Sequence, residues 1–178
     1  MSLFFIRAFR AAKLDASLFE EVMADPKAMT QAMIAVFLYS SAVAYGIFGR
    51  TGVAGINSAI FITLIGWYIW AFTTYFVGVR LFPETQTTAD RKAFMRAMGF
   101  ASSPGWLCLL GLVPGTGGAV LVGASVWMIV ASVVAVKKAL NYTSTYRAAV
   151  ITVACWIPSF LFQWMMAILL LSAFGISE

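Results

Sequence analysis

The side chains that could do acid–base, metal or nucleophilic chemistry are few in this chain, and their spacing keeps them apart. Histidine is absent from the 178 residues, which removes the commonest metal ligand and the usual proton shuttle near neutral pH. Cys108 and Cys155 sit inside apolar runs with no Cys or His nearby. They read as small buried hydrophobes, not as a metal site or a disulfide. The carboxylates Asp15, Glu20, Glu21, Asp25, Glu84, Asp90 and Glu178 all lie outside the apolar segments, and no Lys or Arg falls in the middle of one. Proton-coupled transporters and pumps keep ionisable groups inside the membrane, so that class is disfavoured. Intramembrane proteolysis needs paired aspartates, a His–Glu metal motif or a Ser–His pair, and none exists. No catalytic residue, metal ligand or cofactor is predicted. The turn Gly115-Thr-Gly-Gly118 lacks the Lys of a phosphate-binding loop, and Val120 stands where a dinucleotide fold needs its third glycine. It reads as a tight turn between helices.

What the apolar segments do hold is tryptophan and mild polarity. Trp67, Trp70, Trp106, Trp127 and Trp156 fall well inside their segments, and Gln163 lies midway along the last one. Interhelical hydrogen bonding and aromatic packing account for them, since a buried amide needs a partner. The sharper alternative is a groove, lined by these residues, for a lipid tail or other hydrophobic ligand. Small residues are a second pattern. Gly111-x-x-x-Gly115 and the spaced set Ala119, Gly123, Ala131, Ala135 and Ala139 suit close helix packing in lipid.

The elements that must position these groups follow from composition. Hydrophobic residues make up 62% and charged residues 11%, and mean hydropathy is +0.90. A soluble domain is about half apolar and a quarter charged, so the chain reads as an integral membrane protein. The expected fold is all-α: a polytopic bundle of five transmembrane helices over 27–178, with spans at about 29–49, 56–79, 100–113, 119–136 and 148–174. The third is short against the usual length of about 20 residues. Placing the N-terminus in the cytoplasm and the C-terminus outside leaves every Lys and Arg except Arg50 on the cytoplasmic side, as the positive-inside rule requires. A non-crossing third segment would export Lys137, Lys138 and Arg147. The net charge of +5 therefore reads as membrane orientation and not as nucleic-acid binding.

Residues 1–26 form an amphipathic cytoplasmic or interfacial segment without a signal-peptide layout. Phe4, Phe5, Arg7, Phe9 and Arg10 are its candidates for contact with anionic lipid headgroups or a partner. Ser17-x-x-Glu20 offers a capping box, Asp25-Pro26 a start for the first span, and Asp90 a cap for a short basic helix.

The run Phe94-Met-Arg-Ala-Met-Gly-Phe-Ala-Ser-Ser-Pro-Gly-Trp106, then Pro114, Val126-Trp-Met-Ile-Val130 and Ala135-Val-Lys-Lys-Ala-Leu140, resembles the YIP1 family of membrane proteins. The lead-in Glu20-Glu-Val-Met-Ala-Asp-Pro26 is similar to the family's approach to its first span. The resemblance implies a five-helix bundle. Eukaryotic members are associated with Rab GTPases through a long cytoplasmic N-terminal region. The short lead-in here implies the bacterial-type form, and no catalytic residue carries over. The leading expectation is a non-enzymatic scaffold or interaction protein of a bacterial inner membrane, shaping membrane or assembling with other membrane proteins or with itself. The alternatives are a transporter or channel for a neutral or hydrophobic solute, and an accessory subunit of a bioenergetic complex.

Overall fold

A computed structural model describes residues 2–87 and 90–173, and every regular element among them is helical. The amphipathic lead-in is two helices, α1 (Leu3–Ala12) and α2 (Ala16–Ala24). Leu14, at φ 62°, turns the chain between them. The N-cap of α2 is Asp15, whose carboxylate accepts the Ser17 amide at 3.0 Å and the Ser17 hydroxyl at 2.7 Å. The expected capping box at Ser17 is thus displaced, because the aspartate two residues earlier takes the role. Asp25 accepts the Lys27 amide at 2.9 Å and opens the turn into α3 (Ala28–Phe48).

A single 3₁₀ turn, Gly49–Thr51, joins α3 to α4 (Gly52–Phe76), whose end widens into a π-helical turn at Val77–Leu81. Asp90 then caps α5 (Arg91–Ala101), accepting the Lys92 and Ala93 amides as its position predicts. The chain ends in α6 (Gly117–Ala139) and α7 (Thr145–Ala173). The last residue expected in the final span, Phe174, lies outside the described residues. Among the described residues, four helical stretches are long and apolar enough to cross a membrane: Ala28–Phe48, Gly52–Leu81, Gly117–Ala139 and Thr145–Leu170.

The expected third span, 100–113, is not one α-helix. α5 stops at Ala101, and Ser103–Leu112 forms a 3₁₀ helix. Pro104 has no N–H to give and disfavours α geometry at Ser103. The two serines compensate: Ser102 Oγ donates to the Gly99 carbonyl at 2.6 Å and Ser103 Oγ to that of Phe100 at 2.7 Å. A 3₁₀ helix rises about 2.0 Å per residue against about 1.5 Å for an α-helix, so a short segment reaches further. This one runs parallel to α3, from Gly105 against Tyr39 to Gly111 against Gly46, continuing the contact of Gly99 in α5 with Ala32. Contact there is backbone on backbone. A Cβ on Gly46 would sit 1.9 Å from the Cys108 carbonyl oxygen, and one on Gly111 would sit 2.8 Å from that of Gly46.

α4 is antiparallel to α3 and to α7. Ala44 meets Ala59 in one cluster, while Trp70 reaches Thr152 and Gly66 reaches Ser159. α6 returns antiparallel to the 3₁₀ helix, with Met128 at Gly105 and Gly117 near Gly111. The small-residue set on α6 divides accordingly. Ala131, Ala135 and Ala139 are buried, whereas Ala119 and Gly123 face outward, because the inward face of that half passes through Ala124 and Met128. Gly115 is exposed and takes φ +85° in the turn, so it does not pack a helix.

Candidate functional site

At one end of the bundle α2, α5, the end of α6 and the start of α7 make a dense core. Leu18, Phe19, Val22, Phe94, Phe100 and Leu140 are fully buried there. Ion pairs close it. Arg7, 5% exposed, pairs with Glu21 and Asp25, each at 2.9 Å, and donates to Gln31 at 3.0 Å. Arg10 pairs with Asp15 at 2.7 Å and Glu21 at 2.6 Å. Arg96 donates to the Val22 carbonyl at 2.9 Å and to that of Met23. Lys138 holds Glu20 at 2.6 Å. Across the loops, Glu84 accepts the Thr143 amide and hydroxyl, both at 2.9 Å, and faces Arg147 at 3.5 Å. The Tyr142 hydroxyl shares its one proton between the carbonyls of Gly78, at 2.8 Å in the widened end of α4, and Phe82, at 2.9 Å just past it.

The carboxylates respond as expected. The Ser17 hydroxyl, and then the Arg10 guanidinium, hold Asp15 down at about 2. Burial works against ionised Glu21, but hydrogen bonds from Arg10 and Arg7 outweigh it and lower its pKa. Arg7 lowers Asp25, and the Thr143 amide is the main cause lowering Glu84.

This network changes how the lead-in presents itself. Arg7 and Arg10 are spent inside the chain. α1 turns Arg7, Ala8 and Ala11 inward, while Leu3, Phe5, Ile6 and Phe9 are exposed, Phe9 by 61%. Phe4 is half-buried against Phe100 and Trp106, with ring centroids 6.5 and 5.8 Å away. α1 thereby lies over the joint between α5 and the 3₁₀ helix. A shallow hollow of about 460 Å³ there is bounded by Phe5, Ala8, Phe9, Ala12, Ser103 and Trp106.

The tryptophans of the apolar segments separate by role. The indole N–H of Trp70 donates to the Thr152 carbonyl at 3.1 Å, that of Trp106 to Ala35 at 3.0 Å, and that of Trp127 to Ala12 at 2.8 Å. Each fastens one element to another. Trp67 is buried in the core with its N–H unpartnered among the described residues. Of the five tryptophans singled out in the sequence, Trp156 alone joins Gln163, at a cavity of about 150 Å³ in the half of the bundle away from the ion pairs. That cavity lies between α3, α4, α6 and α7, and Tyr39, Thr63, Ser125 and Trp164 also line it. Trp164, next to Gln163 in the last segment, carries the same signal as the tryptophans singled out and is not among them, whereas Tyr39 and Thr63 carry none that separates them from ordinary apolar-segment residues. For Thr63 the signal appears only in the hydrogen bonds. Thr73, Thr74 and Thr152 bond their own helix carbonyls four residues back, at 2.6 to 2.7 Å, but Thr63 and Ser125 bond nothing among the described residues. Cys108 and Cys155 are buried and free, and no group of three or more His, Cys, Asp or Glu assembles among the described residues.

No curated protein and no solved structure matches the chain. The family model of the Yip1 domain matches residues 15–172, from the cap of α2 to the last turn of α7, with α1 ahead of the matched region. With its apolar helices and that match, the chain is an integral membrane protein belonging to the Yip1 family.

Proposed function

We propose that the protein is a non-enzymatic scaffold of a bacterial inner membrane. In this reading it crosses five times, with its ion-paired end in the cytoplasm. α1 is offered there to the lipid surface or to a membrane partner. The observation that carries the reading is the reversed face of α1: small and charged residues inward, Leu3, Phe5, Ile6 and Phe9 outward. Such a face is stable only against lipid or another apolar surface. The paired charged groups of that end support the reading: Arg96, Lys138 and the Glu84–Arg147 pair tie one element to another. The parallel course of α3 and the 3₁₀ helix, with the return of α6, supports the fifth crossing.

The test is a photo-crosslinking residue at Phe9 in cells, paired with a polarity-sensitive fluorophore at the same position in reconstituted vesicles. The expected result is an apolar environment and discrete adducts, with lipid or with one membrane protein. A probe in water that yields no adduct overturns the reading.

A further inference from the structure

The cavity between α3, α4, α6 and α7 has a lining that bare packing does not explain. Its walls are aromatic and aliphatic, with Trp156 stacked on Phe160 at 4.7 Å between centroids. Set into them are polar groups with no partner among the described residues: the hydroxyls of Tyr39, Thr63 and Ser125. Thr63 is only 4% exposed. Gln163 uses its amide N–H on Ser159, at 3.1 Å to Oγ, and leaves its carbonyl oxygen without a donor. Hydrocarbon offers no hydrogen bonds, so unmatched polar groups at this depth are costly.

No charged side chain lines the space, which selects against an ionic ligand. A cavity of about 150 Å³ is the size that accepts a single benzene ring in a protein core. The hydroxyls can each donate or accept, and the free amide oxygen accepts. An oxygen-substituted ring would satisfy them edge-on while its faces pack on indole.

We propose that this cavity is a binding site for the ring of a neutral, oxygen-substituted aromatic or quinone-type molecule that partitions into the membrane. The ring enters among Trp156, Trp164 and Tyr39, and its oxygens engage Thr63, Ser125 and Gln163. No residue of α1 lines the site, so it stands whether or not α1 binds a partner.

The experiment uses the full chain in detergent, with p-bromophenol as probe and bromobenzene as its counterpart lacking the oxygen. Bromine at the site quenches Trp156 and Trp164 fluorescence. The expected result is saturable quenching by p-bromophenol and apparent affinity for bromobenzene about tenfold weaker, the scale of leaving buried hydrogen-bonding groups unmatched. Thr63→Val and Gln163→Leu should each weaken p-bromophenol several-fold, with helix content unchanged by circular dichroism. Equal quenching by the two probes, or quenching that never saturates, overturns the proposal. Should either variant misfold, the comparison of the two probes on the unmodified chain decides by itself.

Discussion

The two halves of this bundle differ in what their side chains do: one is closed by ion pairs, the other holds an uncharged cavity. In the half that holds α2 and α5, every carboxylate of the lead-in has a basic or backbone partner, and aromatic side chains fill the space between helices. In the other half, the hydroxyls of Tyr39, Thr63 and Ser125 and the carbonyl oxygen of Gln163, whose N–H bonds Ser159, belong to cavity-lining residues and have no hydrogen-bond partner among the described residues, and the interior is made of small clusters such as Ala44, Ala59 and Leu170. In the first half the paired side chains are partly exposed, Glu20 by 57% and Lys138 by 37%. The second lies among helices whose large residues, such as Phe61 and Val122, face outward as lipid-facing side chains do. The lesson is that tight packing was spent where the chain must hold α1 in place, and slack was left where a small neutral molecule fits.

The contrast can be broken most forcefully at Phe19. It is fully buried under α2, so Phe19→Ala should cost about 3–5 kcal/mol and free the α1–α2 hairpin, read as early protease cleavage near Leu14. Acid should act on the same half. Asp15, Glu21, Asp25 and Glu84 all have lowered pKa values in the folded chain. Their stabilisation is therefore full above the unfolded carboxylate range near 4 and is lost as pH falls through the folded values, about 2 for Asp15. Thermal melts from pH 6 to 2 should show a midpoint that drops below pH 4, and the drop should be smaller in Asp15→Asn. Trp70→Phe removes one interhelical hydrogen bond and should cost about 1 kcal/mol, measured by denaturant titration in mixed micelles. Ala167→Leu, at the cavity wall, should change stability by less than about 1 kcal/mol. A large loss there would show that the second half is as tightly packed as the first.

Much of the fold was readable because lipid imposes simple rules. Runs such as Ala28–Phe48 and Gly117–Ala139 announce themselves by length and apolarity, and Asp90 capped its helix where expected. The segment after Gly99 was harder. Its apolarity said membrane, but Ser102, Ser103 and Pro104 decide between α and 3₁₀ geometry through local hydrogen bonds that hydropathy does not weigh. Arg7 and Arg10 suited a lipid surface by type, yet they face Glu21 because α2 folds back on α1, a contact between elements that neither helix encodes alone. The candidate groove was half legible. Trp156 and Gln163 were visible as polar-edged residues in a span, but Trp70, Trp106 and Trp127 had the same appearance and proved to be fasteners.

The sequence by itself determined that this chain is an all-helical membrane protein, because composition and the length of its apolar runs are properties of the string. Only the tertiary structure decided which hydroxyls and indoles have partners, since hydrogen bonding depends on which helix faces which, at distances of about 3 Å. That is why Thr63, ordinary among its neighbours in the string, becomes a cavity-wall residue whose hydroxyl, unlike those of Thr73, Thr74 and Thr152, does not bond its own helix.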